Sequence, residues 1–277
     1  MDWKYTKENP LRVFTAFSGY DSQCIALRNI GVPFDLVGWS EIDKYAIQAH
    51  DAIFPEYKDR NFGDISKIQW GWVPDFQLFT YSFPCTDISN AGQQQGLAEG
   101  SGTRSSLLWE CRKAIVAKHP KYLLMENVKN LVSDKFLPYF KAWLDFLTHE
   151  GYTNYAQVLN AKDYGVPQNP ERIFVVSILG DEWYNFPKPF PLEKRLIDIL
   201  EPEVDGKYYI SDEKVLEFLC QLPEKVREQY GIEIPAEILE KYRKETPVDD
   251  IEAGADPEDG EETIEDWMMA AGLYDED

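Results

Sequence analysis

Residues 11–31, "LRVFTAFSGYDSQCIALRNIG", decide the fold. The first seven are apolar, aromatic and β-branched in the proportion that favours a strand. The polar "SGYDS" (18–22) interrupts the run, and "SQCIALRNIG" then reads as a short helix ending at Gly31. The same order recurs downstream. "FDLVGWS" (34–40) reads as a strand, "EID" (41–43) as its exit, and "DKYAIQAHDAI" as a helix. "FQLFTYSF" (76–83) is a third strand; a polar, Gly-rich loop (89–104) follows, with Ser105 as N-cap of the helix "SLLWECRKAIVAKH". "KYLLMENV" (121–128) is a fourth strand. Phe136, Phe140, Trp143, Leu144 and Leu147 mark one face of a helix that stops at Gly151, and "YAQVLNA" and "RIFVVSIL" close the pattern as a strand pair around a short loop. Strands alternating with helices imply an α/β fold with a largely parallel sheet covered on both faces. In such sheets ligands bind beyond the carboxyl ends of the strands, which is where "SGYDS", "EID", Cys85 and Glu126-Asn127 all fall.

Composition narrows the class. At 44% hydrophobic, the 277 residues can bury a full core, yet no apolar run approaches the ~20 residues of a membrane span. The first ten residues hold no apolar segment of the signal-peptide kind. Cys24, Cys85, Cys111 and Cys220 are scattered without a CxxC pair, which disfavours a zinc site or a disulfide framework and fits a reducing, cytoplasmic setting. Residues 245–277 carry fourteen acids and no Lys or Arg, so without them the net charge of −21 falls to −7. A mildly acidic body leaves room for a local basic cleft, and the acidic tail reads as disordered apart from a helical face of Ile264, Trp267, Met268 and Ala271.

Each polar outlier has a plain alternative. Cys85 alone fits a small packing residue, Glu126 a helix N-terminal acid, Asp64 a turn. Together, "FSGY", "EID", "GDI", "FPCTDISNAG", "MENV" and "YGVPQNPERIF", in this order and spacing, resemble the DNA (cytosine-5) methyltransferases over roughly residues 11–200. The resemblance implies an S-adenosylmethionine-dependent, Rossmann-like methyltransferase fold with a mixed, mostly parallel sheet flanked by helices. It implies Cys85 as nucleophile, Glu126 as the acid serving ring nitrogen 3, and Arg172 as a holder of the flipped base. S-adenosylmethionine would be bordered by Phe17, Gly19, Tyr20 and Pro84. Glu41 would take the ribose hydroxyls, Ile42 would pack on the adenine, and Asp64 would take the adenine amino group beside Ile65. Ser89, Asn127 and Gln168 would position DNA or the base, and no metal is implied. The thiol suits the task because carbon 5 of cytosine is a poor nucleophile until something adds at carbon 6, and a thiolate both adds and leaves well.

Three departures from the family pattern stand out. Asp21 occupies a place where a glycine is usual, so the cofactor loop is expected to bend differently. Pro170 replaces the first arginine of the glutamine-arginine loop, and no late "GN–V" motif or recognition domain follows. The expected organisation is a catalytic domain over 1–200, a short helical extension over 201–244 leading toward a recognition domain, and the tail. The expected partners are double-stranded DNA and a second polypeptide carrying target recognition, as in a split enzyme of a restriction-modification system in a prokaryotic or phage-infected cell. The alternative is a catalytically silent, methyltransferase-like binding or decoy protein.

Overall fold

The computed structural model describes residues 4–85, 105–209, 211–222, 224–229 and 231–242. Ser89 and the whole acidic tail, with its expected disorder and helical face, lie outside the described residues.

The chain divides into two units, the first running to Arg195 and the second beginning at Leu196. In the first, β1 (Leu11–Ala16), β2 (Phe34–Ser40), β3 (Leu78–Tyr81) and β4 (Tyr122–Val128) pair in parallel, and β5 (Tyr152–Asn160) and β6 (Glu171–Leu179) join them antiparallel. The order across the six-stranded sheet is β2-β1-β3-β4-β6-β5. The helices are α1 (Ser22–Asn29), α2 (Lys44–Ile53), α3 (Leu108–Lys118) and α4 (Leu137–His149).

The alternation along β1 shows how the sheet is covered twice. Leu11 and Val13 join a cluster with Cys24, Leu36, Trp39 and Phe54, while Phe14 and Ala16 join a larger cluster with Phe79, Ile115, Trp143 and Ile173. With successive side chains pointing to opposite faces, one strand feeds both cores. Ser105 is not the N-cap of α3: it lies in a 3-10 turn before the helix, and its buried hydroxyl donates to the Pro84 carbonyl at 2.7 Å. Through that bond the serine ties the start of the helical segment to the stretch after β3.

Gly38 in β2 has a packing reason. The β1–β2 register shifts between Val13 and Phe14, and a Cβ on Gly38 would stand 2.7 Å from both the Phe14 and Phe62 rings. Phe62 is exposed and can turn aside, but Phe14 is fully buried and its ring has little freedom to yield. Gly38→Ala is expected to cost about 1–3 kcal/mol of stability, read as a lower urea midpoint; an unchanged midpoint would show that the rings move freely.

The second unit contains α5 (Asp212–Gln221), α6 (Glu224–Gln229) and α7 (Ala236–Tyr242). Ser211 caps α5 by accepting from the Lys214 N–H, and the Cys220 thiol reaches the Ile238 carbonyl of α7 at 4.0 Å. Among the described residues no helix is long and apolar enough to cross a membrane.

Candidate active site

Four strands present their carboxyl ends at one edge of the sheet, and the reversed β6 brings its amino end there too. The pairing of β4 with β6 sets Glu126 opposite Phe174 and Val128 opposite Arg172. Glu126 and Arg172 are therefore diagonal neighbours, close enough for long side chains to meet, and Arg172 Nε lies 3.1 Å from Glu126 Oε1. Burial pushes the Glu126 carboxyl above its ordinary range, against the lowering pull of the Ser82 hydroxyl and the Arg172 guanidinium.

The segment carrying Cys85 is tied to the same edge. Asn127, buried beside Glu126, donates from Nδ2 to the Phe83 carbonyl at 3.0 Å, and the Ser105 contact holds the Pro84 carbonyl. Cys85 is a half-buried free thiol, whereas burial pushes the thiols of Cys24 and Cys111 well above their usual range. The two buried cysteines have the environment of inert packing residues. Asn127, expected to face the base or DNA, has its amide turned inward. Gln168 is exposed in the loop between β5 and β6. Glu171, which follows Pro170 in the chain, pairs with Lys129 at 3.2 Å.

Toward the β1–β2 side, the loop after β1 has positive φ at Phe17 (54°), Gly19 (55°) and Asp21 (67°). Asp21 thus takes the left-handed conformation that glycine adopts readily, and aspartate tolerates it better than most residues. The conformation is one that glycine can also take, and what aspartate adds is its side chain. Asp21 is fully buried, accepts from the Thr15 hydroxyl at 2.9 Å, caps α1 and sits 3.6 Å from Nε2 of the buried His50, which stacks on Trp39.

Glu41 follows β2 and closes against this loop. Its Oε2 accepts from the Gly19 N–H at 3.0 Å, and its Oε1 accepts from the N–H groups of Ile42 (2.7 Å) and Asp43 (2.9 Å). Asp64 accepts through Oδ1 from the Ser66 hydroxyl (2.7 Å) and N–H (3.0 Å); these bonds hold its carboxyl below the usual range. Ile65 is buried in the core beneath it.

These residues fit S-adenosylmethionine by the chemistry of their donor set. Ile42, whose N–H bonds Glu41, and Tyr20, which follows the Gly19 bonded to the same carboxylate, leave 73% and 53% of their surfaces in solvent, apolar and aromatic surface suited to a flat ring with polar edges. Three N–H groups already occupy Glu41, and a carboxylate offers about four acceptor positions. One ribose hydroxyl can bind as the site stands, and a second requires the Gly19 N–H to release Oε2. Among the described residues no His/Cys/Asp/Glu group could hold a metal.

Comparisons with known proteins bear on the family and the fold. The family model for C-5 cytosine-specific DNA methylase matches residues 11–267, well past the point near residue 200 where the motif resemblance ends. The chain is 41% identical over 264 residues to a type II methyltransferase, M2.ScrFI, of Lactococcus lactis subsp. cremoris, covering 75% of this chain and 73% of that protein. It is 35% identical over 250 residues to the orphan methyltransferase M.Rho11sI of Bacillus phage rho11s, covering 79% of this chain and 49% of the relative. Among solved structures, the Entamoeba histolytica methyltransferase EhMeth superposes with a TM-score of 0.62 at 18% identity, over 77% of this chain and 67% of that one. The Dnmt2 methyltransferase of S. pombe gives 0.56 at 20% identity, over 82% of this chain and 67% of that one. The structural likeness shows a mixed, mostly parallel methyltransferase sheet, and with the matched family model it follows that the chain belongs to the C-5 cytosine-specific DNA methylase family.

Proposed function

We propose that the chain transfers a methyl group to carbon 5 of a cytosine flipped out of duplex DNA, through a covalent adduct with Cys85. The observation that carries this is the Glu126–Arg172 pair, set by strand register at the sheet edge from which Cys85 is presented. The Cys85 thiolate adds to carbon 6, and protonated Glu126 relieves the charge that develops at ring nitrogen 3. Arg172 holds the base near its carbonyl oxygen. S-adenosylmethionine, held by Glu41, Asp64 and the loop after β1, supplies an electrophilic methyl group. Loss of the carbon-5 proton then expels Cys85. A stacked base exposes neither carbon 6 nor its Watson–Crick edge to such groups, so flipping is part of the proposal.

The test is transfer of tritiated methyl to duplex DNA by the whole chain, with the product base identified as 5-methylcytosine. Methylation at another atom, or none on any duplex or single-stranded substrate, would overturn it. The comparisons lend no support to the expected second polypeptide.

Calorimetry of S-adenosylhomocysteine reads the cofactor side separately. Removing the carboxylate in Glu41→Ala is expected to weaken binding by about 1.5–3 kcal/mol, the range for a charged hydrogen-bond acceptor. An undiminished affinity would remove Glu41 from the site.

A further inference from the structure

We propose that Asn61 is a positioning residue that sets the separation of the Glu41 and Asp64 carboxylates and so makes the site select an adenine over a hypoxanthine nucleoside. The proposal rests on the cofactor reading above and adds a residue that no motif marks. Glu41 is held by the N–H groups of Ile42 and Asp43 in its own loop and of Gly19 in the loop after β1, and Asp64 is held within its own loop by Ser66 and by the Lys67 ammonium at 3.3 Å. Asn61 joins loop to loop. Its Oδ1 accepts from the Glu41 N–H at 3.3 Å and the Gly63 N–H at 2.8 Å, and its Nδ2 donates to the Glu41 carbonyl at 3.1 Å. The orientation of the amide is settled by these partners, since the reverse would turn an NH₂ toward two N–H groups.

The arrangement continues a sheet by other means. Trp39 bridges Asn61 in parallel, the Phe62 N–H donates to the Trp39 carbonyl at 2.8 Å, and the Ser40 hydroxyl donates to the Gly63 carbonyl at 2.6 Å. Where β2 ends, the planar Asn61 amide takes over the spacing, with donor and acceptor at a fixed separation.

That spacing matters for recognition at two points. A nucleoside anchored through its ribose at Glu41 carries its purine position 6 at a set distance. An adenine amino group there donates to Asp64, whereas the hypoxanthine oxygen accepts and opposes the carboxylate. If the loops drift apart, the distinction is lost before the fold is.

The experiment is calorimetry of the whole chain with S-adenosylhomocysteine and with S-inosylhomocysteine. The native protein is expected to prefer the adenine ligand. Asn61→Ala is expected to bind it about tenfold or more weakly, because three modest hydrogen bonds are lost, and the preference ratio should fall toward one. Asn61→Asp keeps the acceptor toward Glu41 and Gly63, loses the donor, and should fall between; it carries the decision if the alanine variant does not fold. A ratio held at its native value in the folded variants overturns the proposal, even if both ligands weaken together, since an equal loss marks a purely structural role. Binding of neither ligand by the native protein overturns it together with the cofactor reading, whereas native binding with an unmoved ratio leaves that reading intact.

Discussion

Cys85→Ser is expected to lower methyl transfer by roughly 10⁴-fold or more, the scale seen when a nucleophile is removed from a covalent mechanism. A serine hydroxyl is almost never ionised near neutrality and adds poorly to a pyrimidine ring. The thiol acts only in the chemical step, so S-adenosylhomocysteine affinity should stay within about twofold of native. DNA containing 5-fluorocytosine gives a second readout. Fluorine at carbon 5 cannot leave as a proton, so the adduct persists and the protein shifts on a denaturing gel. The shift should vanish in Cys85→Ser and survive in Cys24→Ser and Cys111→Ser, because those thiols are buried in the core and burial keeps them protonated. A serine variant that methylates at the native rate, or a trapped species independent of Cys85, would end the assignment.

Glu126→Gln is expected to reduce turnover by about 10²–10⁴-fold, the usual worth of a positioned general acid. Its pH dependence has a definite sign. Burial raises the Glu126 carboxyl in the fold, so the catalytically competent protonated form persists above the ordinary carboxylate range and is lost as pH rises through the raised value. Glutamine abolishes that limb. Arg172→Ala removes one of the influences that lower the carboxyl, so the limb should move to higher pH even as base binding weakens. For stability, a raised carboxyl favours the fold fully below the unfolded-state value and loses that contribution as pH rises through the folded one. The melting temperature of Glu126→Gln relative to native should therefore improve from acid toward neutral pH. An Arg172→Ala profile superimposed on the native one would show that the guanidinium does not act on this carboxyl.

Much of this was legible from residues. The span of β2 is legible to the residue, because Phe34, Leu36, Val37 and Trp39 fall in one short stretch bounded by Pro33 and Glu41. The carboxyl edge was legible from the rule that polar interruptions follow strands. The direction of β6 was not legible: "RIFVVSIL" reads equally well in either sense, and only pairing with β4 fixes it. A serine ahead of a helical run has the look of a cap, but a 3-10 turn intervenes before α3, and the bond from the Ser105 hydroxyl to the Pro84 carbonyl is long-range and leaves no local signature. Asn61 carried a faint signal, an asparagine two residues before a glycine, which is ordinary turn chemistry. Nothing local tells such a turn that its second loop lies beyond residue 40. Asp21 shows the opposite case, a break in the expected motif that takes a left-handed conformation open to glycine and buries its side chain beside His50.

The reversed strand has a consequence for how this protein tolerates insertion and deletion. Arg172 reaches Glu126 by virtue of a register whose other holders are the buried Ile173 and Val175. Residues 161–170 enter the edge as a connection, and extra length there would bulge into solvent without moving the arginine. One residue gained or lost inside β6 itself would turn Arg172 to the opposite face and bring a core side chain to the edge in its place. Length variation should therefore collect between Asn160 and Glu171 and be excluded from the nine residues that follow.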